Sequence, residues 1–567
     1  MRDLIEDLRR QYHVAKSRRR NFDIMWQDIT DYVMPYRGGF TKEYIEGEER
    51  MQKIFDSTAP DALEVAASGV YSNSVNPSSR WLHLQLKNKE LMADDNVKKW
   101  LNDSSELAQS MIDRILAMAM IENFMDWLGY GMAALFINEE DDIATPFSGT
   151  AYPLRDIYAM LDYKNQIRTV FRKFKLSYSQ AVEQFGEKLP ASLRERYEKG
   201  DKYKDEIRFL HCVTRRSERD ITKKGKDNMP WASYYICRET FDIVDEGGYE
   251  ENPYIIPRFS VIPGETYGRG PMTKALPVVR ALNQKVHNQI DASNLAIRPP
   301  MDVPEDAYIT PLRLTPGARN INQNQNGVKA TPITAVGDIN FTLKDIQEDR
   351  ENIRRMMYND LLKLPLQDRM TTLEVDSRRQ EQLALLAPFL VRLEQEYFTK
   401  IVERVMGILF RKELLPPAPQ VLEAGTDIEI VYDSPLARSM KHANVQAVDG
   451  ALTFIGTIAQ FSPEVLDNYD FDAMARGRSV DAGLPLSYLK SSQDVAQARG
   501  ARQQAQQQQA QAEQSQAMMQ QLPQAMNQIG NTPGMEQLTA SVADAIQQGI
   551  AQSGQGQEQE ADMMGMM

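Results

Sequence analysis

The sequence predicts a mainly helical protein with an α+β stretch in its first half, and three observations lead there. Long segments repeat apolar residues at steps of three and four. The region from Gly131 to Ile262 switches to short β-branched and aromatic runs. Farther on, two helices of similar reach bracket an insert rich in Pro, Asn and Gln. The 567 residues suffice for about three or four domain-sized units. Apolar residues at 42 % and charged residues at 26 % suit a folded chain everywhere except the last seventy or so positions.

The first helix follows from Leu8, Tyr12, Ala15, Arg19, Phe22, Trp26, Ile29 and Val33, which form one seam ending near Pro35. Asp56, Ser57 and Thr58 offer N-caps ahead of Pro60, so Ala62 to Asn73 is expected as a second helix, and Asp94 to Met118 as a third. Strands are expected at Ala133–Ile137, Ile167–Phe174, Ile207–Thr214, Ser233–Arg238 and Tyr254–Ile262, with a helix at Ser179–Phe185. Pro271 then opens helical sequence to about Ile297, some 40 Å long at about 1.5 Å per residue. Arg298-Pro299-Pro300 stops it.

Met301 to Leu343 reads as irregular, with Ile309–Leu314 and Val328–Ile333 as short strands able to pair. Lys344 to Leu364 returns as a charged helix. Pro365 to Met370 breaks the pattern, and a helix capped by Thr371 or Thr372 runs to about Glu413 along Leu383, Leu386, Leu390, Leu393, Tyr397, Ile401, Val405 and Ile408. Ile428–Tyr432 reads as a strand, and Ser439–Leu489 as short helices. Between Gln493 and Gln528 stand 15 Gln in 36 positions, with no Lys or Arg from Gln503 onward. That composition allows either a helical tube or a disordered tail.

The chemistry that the chain lacks narrows its function. There is no G-x-x-x-x-G-K-[ST] loop for nucleotide hydrolysis, and Gly268-Arg269-Gly270 lacks the third glycine of a dinucleotide loop. His13, His83, His211, His287 and His442 never fall at metal-ligand spacing, and no G-x-S-x-G elbow exists. No cofactor, metal or catalytic residue is expected. Glu139-Glu140-Asp141-Asp142 reads as a solvated turn between strands. Arg18-Arg19-Arg20 and Lys223-Lys224-Gly225-Lys226 read as solvated faces or subunit salt bridges.

Cys212 and Cys237 read as reduced, partly buried thiols rather than a disulfide framework, although they could face each other on a hairpin. Met1 to Arg10 alternates charge without an apolar signal core, and no apolar run approaches the ~20 residues that span a bilayer. A reducing cytoplasm, and no membrane, is expected. A net charge of −13 has the wrong sign for a protein that grips nucleic acid over a broad basic face.

Six motifs, in order, resemble the head-to-tail connecting, or portal, proteins of podovirus-type bacteriophages. They are Arg20-Asn21-Phe22 with Trp26 and Tyr32-Val33-Met34-Pro35; Phe55-Asp56-Ser57-Thr58-Ala59 with Ala67-Ser68-Gly69; Tyr130-Gly131-Met132-Ala133-Ala134-Leu135; Tyr267-Gly268-Arg269-Gly270-Pro271 with Ala275-Leu276-Pro277 and Leu282-Asn283; Leu373-Glu374-Val375; and Ser434-Pro435-Leu436-Ala437-Arg438. Met370-Thr371-Thr372-Leu373 departs from the usual small-residue pattern, and the Gln-rich tail lies outside the resemblance.

The resemblance implies a non-enzymatic ring, a dodecamer, at one capsid vertex. It implies an α+β wing over residues 1–262, stem helices over 263–297 and 344–364, an α/β clip over 298–343, and a tunnel loop over 365–372. A long helix returns through the wing over 373–433, a helical crown spans 434–492, and a tail 493–567. The implied partners are the terminase packaging motor, tail or adaptor proteins, capsid and scaffolding proteins, and double-stranded DNA in the channel. Assembly would take place in the host bacterial cytoplasm. Gln367, Asp368, Arg369 and Thr371 are the candidate DNA-channel residues, with Arg369 either meeting phosphate or pairing with a neighbouring carboxylate. Arg313, Arg319 and Lys329 are the candidate clip contacts. A tail adaptor or helical scaffold is the alternative, and a nucleic-acid enzyme a more distant one. The strand-rich middle counts against a scaffold, which would read as nearly continuous heptads.

Overall fold

Arg2–Tyr32 forms the first helix, α1, because its seam finds a surface to bury against. Leu8, Tyr12, Ala15, Arg19, Trp26, Ile29 and Val33 are all buried. The structure is a computed structural model. It describes residues 2–43, 45–75, 80–88, 91–198, 206–220, 225–303, 321, 331–332, 339–362, 388–422, 428–432, 448–481 and 492–529. These fall into two compact units, Met1–Phe454 and Ile455–Met567.

Arg19 is the one cation in that seam, and it is 1 % exposed. The guanidinium donates to the carbonyls of Leu154, Arg155 and Ile157, pairs with Asp23 at 2.8 Å and lies 3.7 Å from the centre of the Tyr158 ring. The expectation of a solvated face therefore fails at Arg19. A buried guanidinium is tolerable here because fixed carbonyls replace its water.

Helices α2 (Thr58–Ser74), α3 (Asp95–Ile115) and α4 (Ala117–Gly129) follow. The third predicted helix is in fact two. The apolar period runs straight through Leu116, yet the backbone bends there so that both Leu116 and the α4 face at Met120, Phe124 and Trp127 are buried. Their common core includes Trp26, Leu63 and Trp81, together with Tyr397 and Ile401 from far along the chain.

Strand β1 (Leu82–Leu86) pairs antiparallel with β12 (Ile428–Tyr432), closing a very long loop of chain. Strands β2 (Leu135–Glu139), β3 (Phe147–Ala151) and β9 (Tyr254–Ile255) form a three-stranded sheet in the order β3-β2-β9. The predicted strand to Ile262 shrinks to two residues because Pro253 and Pro257 have no N–H to donate. Their carbonyls instead accept from Ile137 and Ala133.

Strands β4 (Ile157–Leu161), β5 (Ile167–Ser177), β6 (Glu206–Arg215), β7 (Trp231–Cys237) and β8 (Ile243–Tyr249) form an antiparallel meander. Strand alternation gives it two apolar faces. Leu210 and Cys212 pack under α1 with Tyr12 and Phe171. Ile207 and Phe209 pack under α5 (Tyr178–Phe185) and α6 (Ala191–Glu198) with Cys237. Both cysteines are free and buried on neighbouring strands, but Cys212 faces Tyr234 and Cys237 faces Phe209. Burial pushes the Cys212 thiol up, far from reactivity.

His211 is a satisfied core histidine, held between the Tyr254 and Ser233 hydroxyls at 2.8 and 3.0 Å, and burial keeps it neutral. The acidic run at Glu139 is the expected β2–β3 turn. Asp142 accepts from the Ala144 amide and Thr145 hydroxyl, and Glu140 from Ser148.

Helix α7 (Pro271–Ile297) matches its prediction. Helix α8 (Ile339–Met356) begins earlier than expected and ends at Met356, ahead of a turn in which Tyr358 has φ 59°; a short α9 (Asn359–Leu362) follows. Strand β10 (Met301–Asp302) pairs antiparallel with β11 (Thr331–Pro332); the expected strand Ile309–Leu314, and all of Val328–Ile333 but Thr331 and Pro332, lie outside the described residues.

The later long helix is described from residue 388, widens into a π turn at Glu394–Phe398 and continues as α10 (Thr399–Arg411). In the second unit, Phe471–Asp481 and Ser492–Ile529 are helical, and Arg499 forms a two-pronged pair with Asp472 at 2.6 and 2.7 Å. Among the described residues no helix is long and apolar enough to cross a membrane, and no three His, Cys, Asp or Glu gather as a metal site.

Candidate functional site

The α7–α8 hairpin is the most distinctive construction of the first unit, and its mounting can be followed residue by residue. Gly270 is the N-cap of α7 and Pro271 its first residue, a position where the missing N–H costs nothing. Just before it, Gly268 and Gly270 cross the Tyr130-Gly131 turn at backbone contact. A Cβ on Gly131 would overlap Arg269 and Gly270 backbone, one on Gly268 the Gly131 carbonyl, and one on Gly270 the Leu128 carbonyl. Gly131 also has φ +87°, which favours glycine. Phe259 N donates to the Gly131 carbonyl at 2.9 Å, and Trp26 Nε1 to that of Tyr130 at 2.9 Å.

Halfway along α7, the buried Asn283 accepts through Oδ1 from the Phe55 and Asp56 amides at 2.7 and 3.1 Å, while its Nδ2 donates to Val279 within the helix. The Asp56 carboxylate accepts from Arg350 of α8 at 2.8 and 2.9 Å and from the Thr58 amide at 2.9 Å. One turn of chain thus clamps both helices. Burial opposes the Asp56 charge, but the Thr58 and Arg350 hydrogen bonds outweigh it and hold this carboxyl below its ordinary range.

Lys285 of α7 spans Asp345 and Asp349 of α8 at 2.5 and 2.7 Å, and these hydrogen bonds raise its pKa. Because Lys285 meets Asp345 and Asp349 while Asp302 meets Thr331, the helices run antiparallel. Farther out, Ile290, Leu295, Ile297 and Leu343 are 46–76 % exposed. The outer half of the hairpin is bare.

A second ion-pair system holds the later long helix. Arg258 grips Glu396 in the π turn through its backbone N–H, Nε and Nη2 at 3.0, 3.2 and 2.8 Å. Glu251 accepts from Arg404 and Arg411, and Arg411 also reaches Glu139 at 3.0 Å. Together these tie the long helix to the sheets.

Gln367, Asp368, Arg369 and Thr371 lie outside the described residues, as do Arg313, Arg319 and Lys329. What the structure brings together instead are motifs that the sequence showed only singly: Phe55-Asp56 meets Asn283, and Gly131 meets Gly268 and Gly270. The roles of Arg350, Glu396 and Glu251 carried no local sequence signal, since each works through a partner more than a hundred residues away.

Comparison with known proteins finds a family and two relatives. The family model described as bacteriophage head to tail connecting protein matches residues 6–489. The chain is 28 % identical over 495 residues to a "Probable portal protein" of Bordetella phage BPP-1, covering 85 % of this chain and 88 % of that one. It is 27 % identical over 515 residues to a "Portal protein" of Salmonella phage epsilon15, covering 88 % and 91 %.

Proposed function

The chain belongs to the bacteriophage head to tail connecting proteins and is a portal-type connector, and we propose that it acts as a ring of twelve copies around a DNA channel at one capsid vertex. The observation that supports the ring is the bare outer half of the α7–α8 hairpin. Ile290, Leu295, Ile297 and Leu343 are apolar side chains that a single copy leaves in water, and neighbouring hairpins packed side by side would cover them.

In this reading residues 1–262 are the wing, 263–297 and 344–364 the stem, 298–343 the clip and 365–372 the tunnel loop. The long helix returns through the wing to 433, the crown spans 434–492 and the tail 493–567. The clip, with Arg313, Arg319 and Lys329, receives the terminase motor and later the tail or adaptor proteins. The wing and crown meet capsid and scaffolding proteins. ATP hydrolysis belongs to the motor, and the connector is structural. Assembly takes place in the host cytoplasm and the finished ring resides in the virion. A chain of charge −13 gains little from counterion release on DNA, which suits a conduit in which DNA slides.

Negative-stain microscopy of the purified chain tests this reading. Rings with a central channel and no nucleotide turnover are expected; particles without rotational symmetry, or turnover that survives repurification, would overturn it.

A further inference from the structure

The five-stranded sheet presents exposed arginines at one end, and an acidic stretch outside the sheet is tied to the other. At one end Thr169 and Thr214 pair across β5 and β6, Arg168 and Arg215 adjoin that pair along their strands, and Arg215 pairs with Trp231 on β7. With Arg219 these residues line a cleft of about 640 Å³ that reaches to the π turn of the long helix. Arg168, Arg215 and Arg219 are exposed, and their guanidinium groups make no hydrogen bond or ion pair among the described residues. Like charges gathered in one cleft repel.

The acids of the cleft are largely engaged. Glu396 holds Arg258, Glu251 holds Arg404 and Arg411, Glu403 holds Lys400, and Asp162 accepts from the Lys164 and Gln166 amides. Asp162, whose amide donors are neutral, and Glu250 are the carboxylates left without a cation, against three arginines with no ion-pair partner among the described residues.

At the other end of β5, Lys175 pairs with Glu206 at 3.0 Å and with Glu43 at 3.2 Å, which ties down the start of an acidic loop, residues 41–51, whose described members are nearly all exposed. Its four glutamates, Glu43, Glu46, Glu48 and Glu49, stand against Lys42 and Arg50. Glu46 and Glu49 are exposed and form no ion pair among the described residues, and Ile45 and Met51 are 60 % and 47 % exposed. Seven residues separate Lys175 from Arg168, about 23 Å at about 3.3 Å each. The loop therefore cannot enter the cleft of its own copy.

We infer that the 41–51 loop of one copy seats in the Arg168–Arg215–Arg219 cleft of the next, Glu46 and Glu49 meeting the arginines and Ile45 packing on Trp231. A projection at one end of an element and a complementary cleft at the other make a head-to-tail contact, the type that closes into a ring when the rotation allows. Charge pairing of this kind sets register and partner orientation. This interface rests on the ring reading above, but it fails separately from it.

Two experiments on the full chain test it. In Ile45→Cys/Arg219→Cys, with the buried Cys212 and Cys237 retained, oxidation is expected to give a ladder of cross-linked multimers that neither single variant shows. Arg168→Glu/Arg215→Glu and Glu46→Arg/Glu49→Arg are each expected to lower the assembled fraction at least tenfold, and combining all four to restore it. Undiminished rings in both charge-reversed variants, with no ladder, would overturn this interface and leave the ring standing. A wild-type chain that forms no rings, together with no ladder from Ile45→Cys/Arg219→Cys, would overturn both.

Discussion

Asn283 and Asp56, 227 residues apart, are joined by a hydrogen bond from the Asp56 amide to the Asn283 side-chain oxygen at 3.1 Å, and the Asp56 carboxylate in turn holds Arg350. A single loop residue therefore sets the spacing of α7 and α8. Asn283→Ala leaves the Phe55 and Asp56 amides without their acceptor, which costs about 1–3 kcal/mol for each buried group. Urea unfolding is expected to show a loss of about 2–4 kcal/mol, and Asn283→Asp, which keeps an acceptor, a smaller one. An unchanged midpoint for Asn283→Ala would dismiss the clamp.

Two glycines with nearly the same backbone separate conformational strain from close packing. Gly131 (φ +87°) lies against Gly270 and Arg269 backbone, whereas Gly264 (φ +89°) has nothing within 4 Å of a Cβ position. Gly264→Ala should cost only the left-handed penalty of about 1–2 kcal/mol. Gly131→Ala adds an overlap with backbone that cannot move aside and should cost at least about 3 kcal/mol. Equal losses in thermal or urea unfolding would refute the tight crossing ahead of α7.

Burial raises the Asp126 carboxyl to about 6, although Arg37 at 2.9 Å and its hydrogen bond pull the other way. A carboxyl raised in the folded state binds more protons there than in the unfolded chain. Its contribution is therefore most favourable below the ordinary carboxylate range, near pH 4, and is lost as pH rises to about 6. The stability difference between wild type and Asp126→Asn should fall by about 2 kcal/mol from pH 4 to pH 6 and level off above about pH 7. A difference independent of pH would remove the assignment.

The bare outer face of α7 should matter to assembly and not to the single copy. Ile290→Asp/Ile297→Asp alters side chains that are 47 % and 76 % exposed, so unfolding of the unassembled chain should shift by less than about 0.5 kcal/mol. Ring yield in size-exclusion chromatography should drop severalfold. Normal ring yield would mean that this face meets nothing.

The tunnel-loop proposal concerns residues outside the described ones. Arg369→Ala with Gln367→Ala should leave rings intact and change DNA packaging rate or retention, with the effect of Arg369 weakening as salt rises. Wild-type packaging and retention across a range of salt would end the case for this loop as the DNA contact.

By itself the sequence determined the helical seam of α1, the start and stop of α7, the seam of the later long helix from Leu390 to Ile408, the strand-rich middle, and the reduced state expected of Cys212 and Cys237, because periodicity and residue chemistry are local. It also carried the motifs that resemble the family. Only the tertiary structure decided what those residues touch. Arg19, one basic residue among three neighbours, is buried by carbonyls 135 to 138 positions away. The helix at Leu116 bends because two faces compete for the same core. The strand at Pro253 and Pro257 ends for want of donors where β2 could have bonded. Asn283, Asp56 and Arg350 form one clamp although nothing near any of them announces the others. A hydrogen bond depends on positions in space, and the chain settles those positions only when all of its apolar faces are buried at once.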